Sequence, residues 1–396
     1  MSPSLQLNIR KLYIFSFLKM MLFPMAIITL FWKDHIGLTL TDIMLLQAVF
    51  SLASLCLEYP SGYISDRLGY RFALNIAALF GIAGWGLYTV AGSFSGVLVA
   101  EILLGISLAF ISGSDSALLF ETLKQQKEEH LYARYDGRMS GFAQIGEAVG
   151  ALSAGLLYAT FPLLPFLIQI LVWIVALLIT MSLREVTKSE PPQRSHLQEM
   201  ASTWLLAWRD NKRIRSTILL TTCAGLASFY PVWLIQPYMQ ANHLPLIWFG
   251  PVWAGANLTV ALFSFLSHRT AFFLGNRNML ILACLLTLVG YLGLGLTAGI
   301  FSFLFYYLLT AMRGLQGPFL RHFLQKEGER QNRASLLSLK ALTFRLGFVV
   351  TAPVIGLLAD SRGVQTTFLL LTAPIIIATM LGSLYFYKIN SQKTFE

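Results

Sequence analysis

The chain has 396 residues, 56% of them hydrophobic and only 12% charged, with a formal net charge of +10. These proportions exclude a soluble globular protein and require a polytopic membrane protein. The basic excess is explained by loops on the cytoplasmic side of a bilayer, so it implies no nucleic-acid partner. Three cysteines, Cys56, Cys223 and Cys284, all lie in apolar segments without metal-ligand spacing, so neither a disulfide framework, a metal site nor a cofactor is expected.

Arg10 and Lys11 precede a first apolar run that is too long for a signal peptide and shows no obvious cleavage site, so it is expected to stay in place as the first helix. A bilayer core about 30 Å thick takes roughly 20 apolar residues at about 1.5 Å of rise each. Twelve windows of that length follow one another, so the fold class is all-α with 12 transmembrane helices. The first six are Leu12 to Trp32, Ile43 to Ile64, Phe72 to Ala91, Gly96 to Phe120, Gly137 to Ala159 and Leu163 to Leu183. The second six are Ile214 to Gln236, Trp248 to Ser267, Met279 to Ala298, Phe301 to Phe323, Ala334 to Leu358 and Thr366 to Tyr387.

Between the second and third windows runs Gly62-Tyr-Ile-Ser-Asp66-Arg67-Leu-Gly69-Tyr-Arg71. Two glycines permit a sharp reversal, and three charges can pair with one another and with helix ends. The spacing Gly-x-x-x-Asp-Arg-x-Gly-x-Arg resembles the signature that major facilitator superfamily transporters carry between helices two and three. One position departs from it, Tyr70, where the family often has a base. The resemblance implies two parallel six-helix repeats working by alternating access, with helices one, four, seven and ten lining the cavity. It also makes Gly62, Asp66, Arg67, Gly69 and Arg71 gating residues, with Glu121 as the available acid at the cytoplasmic end of helix four.

With the N-terminus inside, Lys33 and Arg362 fall outside, Lys19, Arg313, Lys340 and Arg345 fall within helices, and the remaining 23 of 29 basic residues are cytoplasmic. Both termini are therefore expected in the cytoplasm of a bacterial-type inner membrane. Residues 184–213 form the only long connection, polar and interrupted by Pro191 and Pro192, and they separate an N-terminal half, 1–183, from a C-terminal half, 214–396. Within this linker Leu197, Met200, Ala201, Trp204, Leu205 and Trp208 fall at helical spacing beside Arg209, Lys212, Arg213 and Arg215, as an interfacial helix would place them. The halves also echo one another: Leu98-x3-Glu101-x3-Gly105 lines up with Leu309-x3-Arg313-x3-Gly317, and Gly155-Leu-Leu with Gly356-Leu-Leu.

Arg313-Gly-Leu-Gln316-Gly317 is similar to an element that drug and proton antiporters of the superfamily carry in helix four, although here it stands in helix ten. At the helix-four position this chain has the acid Glu101. In helix five, the row Gly137, Gly146, Gly150, Ala151, Ala154 and Gly155 is similar to an exporter signature with its Pro and one Gly replaced by Ala; such small residues serve close helix packing equally well.

Eight ionisable residues fall within helices, Glu58, Glu101, Asp115 and Glu147 against Lys19, Arg313, Lys340 and Arg345. Each costs on the order of 2.5 to 3.5 kcal/mol at the bilayer centre unless paired or wet. The resemblance places Glu101 and Arg313 in the cavity wall, as candidates for proton coupling and substrate binding, and Glu58 opposite Lys340 as a gating pair. Glu147 is a candidate proton carrier or a structural hydrogen-bond partner of Asn257. Lys19 is a candidate substrate-binding cation beside Arg313, and Lys19, Asp115 and Glu58 are also shallow enough to snorkel. Tyr230, Trp233 and Gln236, in a helix seven interrupted by Pro231 and Pro237, together with Tyr307 and Gln316, are candidates for a polar pocket wall, for packing, or for an interfacial belt.

The function expected is proton-coupled secondary transport of a small polar or anionic organic molecule, with export favoured and no reaction catalysed. The partners expected are the substrate, protons and the lipid bilayer, with a monomeric transporter. The alternatives are uptake by proton symport of a metabolite or a metal-chelating carboxylate, a lipid flippase, and a non-transporting membrane sensor.

Overall fold

The computed structural model describes residues 3–186, 204–327 and 333–391. Leu197, Met200 and Ala201 of the expected interfacial helix lie outside these residues. Almost every described residue is helical, as the composition requires. Among the described residues nine segments are long and apolar enough to cross a membrane, one of them, Leu246–Leu296, holding two helices end to end. The first and tenth expected spans, whose charges lower their hydropathy, bring the number to the twelve expected.

The chain divides into two compact units. Unit 1 comprises residues 1–38, 46–193 and 246–254, and unit 2 comprises 39–45, 194–245 and 255–396.

In unit 1, α1 (Pro3–Met20) packs on α7 (Tyr132–Thr160) and α8 (Leu164–Met181), while α4 (Tyr70–Tyr88) packs on α5 (Phe94–Ile111) and α8. Small residues set these distances. A side chain at Gly81 would collide with the Trp173 ring, one at Gly84 with Leu104, and one at Gly146 with the Phe17 carbonyl. Close backbone approach is the main source of packing where lipid competes with every apolar contact. Gly250 likewise lies against the Ala151 carbonyl, and Gly155 against that of Leu246. Gly146, Gly150 and Gly155 of helix five therefore sit at tight packing points, whereas Gly137 has nothing within 4 Å.

Two spans of unit 1 are broken where the hydropathy predicts one helix each. The expected span 12–32 is α1, an unwound stretch, then α2 (Ile28–Leu30) running into a π turn over Phe31–Ile36 that ends at Gly37, φ 83°. Pro24 lies in the unwound stretch, where the Phe23 N–H donates to Gln169 Oε1 at 2.9 Å. The expected span 96–120 is α5 and α6 (Ser114–Lys124), separated by Ser112 and a left-handed Gly113, φ 84°. A hydropathy window registers neither break: residues 21–27 are themselves apolar, and the short polar run Ser112 to Ser116 is averaged out by the apolar residues around it.

In unit 2, α9 (Lys212–Ala241) is the central element, packed by α11 (Leu304–Glu327), α12 (Arg333–Arg362) and α13 (Val364–Ser391). The helix is continuous through Pro231 and Pro237, contrary to the interruption expected there; neighbouring helices compensate for the backbone bonds that proline forfeits inside a membrane. Its start at Lys212, capped by the Asn211 side chain, absorbs most of the basic run placed beside the interfacial helix, while Leu206–Asp210 forms a short π-helical turn. Element α10 (Phe249–Leu296) reverses character at Gly275, φ 72°, where one helix ends and the next begins. Helix α3 (Leu40–Leu68) starts in unit 2 and continues in unit 1.

Candidate functional site

A cavity of about 330 Å³ lies within unit 2, between α9, α11 and α12. Arg313 and Gln316 reach it one turn apart on α11, Lys340 enters from α12, and Phe229 and Phe344 supply an aromatic wall, their rings edge to face at 5.3 Å. None of the residues lining it is acidic, and the sequence carries no Asp or Glu between Asp210 and Glu327. Gln316 is 5% exposed, and its Oε1 has no hydrogen-bond partner among the described residues. Such an acceptor is costly to leave unmet. Two cations beside an unmet acceptor can take an anionic group and a neighbouring hydrogen-bond donor. The other pocket candidates on these helices stand outside the cavity. Tyr230 shares a 2.7 Å hydrogen bond with Thr351, Trp233 packs edge-on against Phe229, and Tyr307 sits against Gly255 with its ring on Phe303.

Unit 1 holds the buried acids. Glu101 on α5 is 3% exposed; one oxygen accepts from Gln47 Nε2 at 3.0 Å and the other from the Tyr88 hydroxyl. Tyr88 is in turn stacked among Trp85 and Phe166. Glu101 is thus enclosed between helices of unit 1, while Arg313 faces the cavity of unit 2. Glu147 is half-buried on α7, one residue beyond the Gly146 contact with α1.

Lys19 and Asp115 do not snorkel. They form an ion pair with side-chain exposures of 18% and 7%. Each residue stands at one of the two breaks described above: Lys19 ends α1, and Asp115 opens α6, where its other oxygen accepts the Ser116 N–H at 2.7 Å. The carboxylate therefore meets both a cation and the positive end of a half-helix. Sequence reasoning treated the two residues separately because nothing local links positions 96 residues apart.

The charged turn lies within unit 1. Gly62, Asp66 and Arg67 are in the last turns of α3, with Arg67 over the Tyr63 ring at 4.7 Å, and Gly69 with φ 102° separates α3 from α4. The backbone N–H groups of Tyr70 and Arg71 donate to Glu185 at 3.1 and 2.8 Å. Glu185, just past α8, was missed by the sequence reading; an acid directly after the sixth apolar window was its only signal. Glu121 lies half-buried near the end of α6, and Glu58 is half-buried on α3, its carbonyl accepting from Ser61. Asp360 was also missed. It accepts from Leu40 N and Thr41 N, both at 2.8 Å, and from the Thr41 hydroxyl.

The sequence profile of the Major Facilitator Superfamily matches residues 12–325. YxaM of Bacillus subtilis, an MFS-type transporter, is 27% identical over 152 residues, 38% of this chain and 36% of its own. The quinolone resistance protein NorA of Staphylococcus aureus is 21% identical over 220 residues, 55% of each chain. The chain thus matches about a third to a half of the length of these relatives. Among solved structures, a point mutant of the nucleoside transporter NupG superposes with a TM-score of 0.81 at 14% identity, covering 96% of this chain and all of that one. An inward-facing bacterial homologue of the lysosomal transporter Spinster gives 0.75 at 13% identity, covering 98% and 97%.

Proposed function

The chain belongs to the major facilitator superfamily of membrane transporters, and on that premise we propose that it is a proton-coupled secondary transporter that exports a small polar or anionic organic molecule and catalyses no reaction. The observation carrying this reading is the unit 2 cavity, where Arg313 and Lys340 converge with the unmet Gln316 acceptor and no acid intervenes. A guanidinium stays protonated at any accessible pH, so Arg313 holds an anionic group but cannot release a proton. Glu101 is the proton carrier of the proposal, with Glu147 next in line; a carboxylate can lose and regain the proton that arginine cannot. Export is favoured by the similarity to NorA, whose name records resistance to quinolones. In this reading the protein works by alternating access as a monomer in the inner membrane with both termini cytoplasmic.

The test is transport by everted vesicles and proteoliposomes with an imposed pH gradient, using a fluorescent quinolone and a panel of aromatic carboxylates. Glu101→Gln should abolish pH-driven transport and retain binding, whereas Arg313→Ala should lose binding itself. If Glu101→Gln transports at the wild-type rate with an unchanged pH profile, the coupling role does not belong to Glu101. Accumulation driven inward along the proton gradient would make the protein a symporter for uptake.

A further inference from the structure

A second cavity in unit 2, of about 490 Å³, runs between the helix over residues 276–296 and α13. Its walls are almost wholly aliphatic, and several are substantially exposed: Ile281 and Leu285 on one side, Met380 and Leu384 on the other. Cys284 and Ser383 face one another along the groove at 3.8 Å, and its one charged residue sits at one end, where Arg277 stands level with Tyr387, because the two helices run in opposite directions. We propose that this groove is a binding site for an anionic phospholipid, its phosphate held at Arg277 and an acyl chain lying along the groove.

Three features carry the assignment. The first is length: from Arg277 to Leu288 is 11 residues, about 16 Å at 1.5 Å per residue, which matches half of a bilayer core about 30 Å thick. A groove one leaflet deep with a charge at its outer end has the dimensions of one lipid. The second is charge. Arg277 makes no hydrogen bond or ion pair among the described residues, the stretch around it includes His268 and Arg269, and no acid occurs between Asp210 and Glu327 or between Asp360 and Glu396. The third is the backbone. Gly275, φ 72°, ends the preceding helix, so the next begins at Asn276, and its first N–H groups and positive dipole end lie beside Arg277. A phosphate there meets a guanidinium and a helix start together. A zwitterionic headgroup would bring its own cation into the same basic corner.

The experiment is native mass spectrometry of the purified full-length protein in mild detergent, with equal amounts of phosphatidylglycerol and phosphatidylethanolamine, and a separate arm with inorganic phosphate. Phosphatidylglycerol should be retained preferentially, inorganic phosphate should not compete with it, and Arg277→Ala should reduce retention about fivefold, the factor that one cation near an anionic surface contributes. Arg277→Lys should recover most of it. Arg277 is exposed, so folding of these variants is checked by an unchanged melting temperature without added lipid. Equal retention of the two lipids, full retention by Arg277→Ala, or competition by inorganic phosphate would overturn the proposal. A dimer that Arg277→Ala dissociates would assign the groove to a second copy of the chain and overturn it too.

Discussion

The carboxylate of Glu185 closes the start of the helix that begins beside Arg71, accepting the Arg71 N–H at 2.8 Å and the Tyr70 N–H at 3.1 Å. The arrangement supplies from a distant residue what the local sequence withholds, since Gly69 at the cap position has no side chain to offer. Removing a capping acceptor costs about 1 kcal/mol. Glu185→Ala should lower the melting temperature of the purified protein, and Glu185→Gln, which keeps an acceptor and loses the charge, should lower it less. Equal melting of both variants and wild type would show that the contact contributes nothing.

Gly69 meets two constraints at once. Its φ of 102° belongs to the region that favours glycine, and a β-carbon there would stand 2.5 Å from the Glu185 carboxylate. Gly69→Ala should therefore destabilise by more than the backbone strain of roughly 1 kcal/mol alone, while Gly62→Ala, where nothing lies within 4 Å, should be close to neutral. Melting curves of the two alanine variants compared side by side test this asymmetry.

Lys19 and Asp115 should behave as a unit. Removing one partner of a buried pair strands the other charge at a cost of about 3–5 kcal/mol, whereas replacing both with apolar groups is often neutral. Lys19→Met and Asp115→Leu should each reduce the folded yield in detergent, and the double variant should recover it. Additive losses in that double-mutant cycle would rule the coupling out.

Asp360 and Gly356 lie one turn apart on α12, and both meet the start of α3. Asp360 caps it, and a side chain at Gly356 would stand 2.5 Å from the Thr41 α-carbon. Gly356→Leu should be the more disruptive substitution, because backbone has no room to yield. Asp360→Asn should cost under about 1 kcal/mol, the scale of an exposed charge at a helix start. Limited proteolysis near residues 37–41 measures both, with faster cleavage in the glycine variant.

Asp66→Asn should cut transport while insertion and expression stay near normal, as the resemblance of residues 62–71 to the superfamily signature implies. The measurement is vesicle transport normalised to protein in the membrane. Full activity would remove Asp66 from the gating set.

The sequence by itself determined that this chain is a helical membrane protein, how many spans it has, and which superfamily its charged turn resembles. These properties are local: a span is a window of some 20 residues, and the turn occupies ten. It also singled out Arg313, Gln316 and Lys340 by their rarity inside apolar helices, without showing that they line one cavity. Only the tertiary structure decided the partners. Lys19 meets Asp115 across 96 positions, Glu185 meets Arg71 across 114, and Asp360 meets Thr41 across 319. The two helix breaks were also not resolved, because residues 21–27 match their neighbours in hydropathy and the polar run Ser112 to Ser116 is too short to end a 20-residue apolar window. What opens the backbone there is a tertiary substitute for the lost helical bond, such as the Gln169 side chain that accepts the Phe23 N–H. A buried charge announces in the sequence that it needs a partner; which residue answers depends on how helices pack, and that is set by small residues far along the chain.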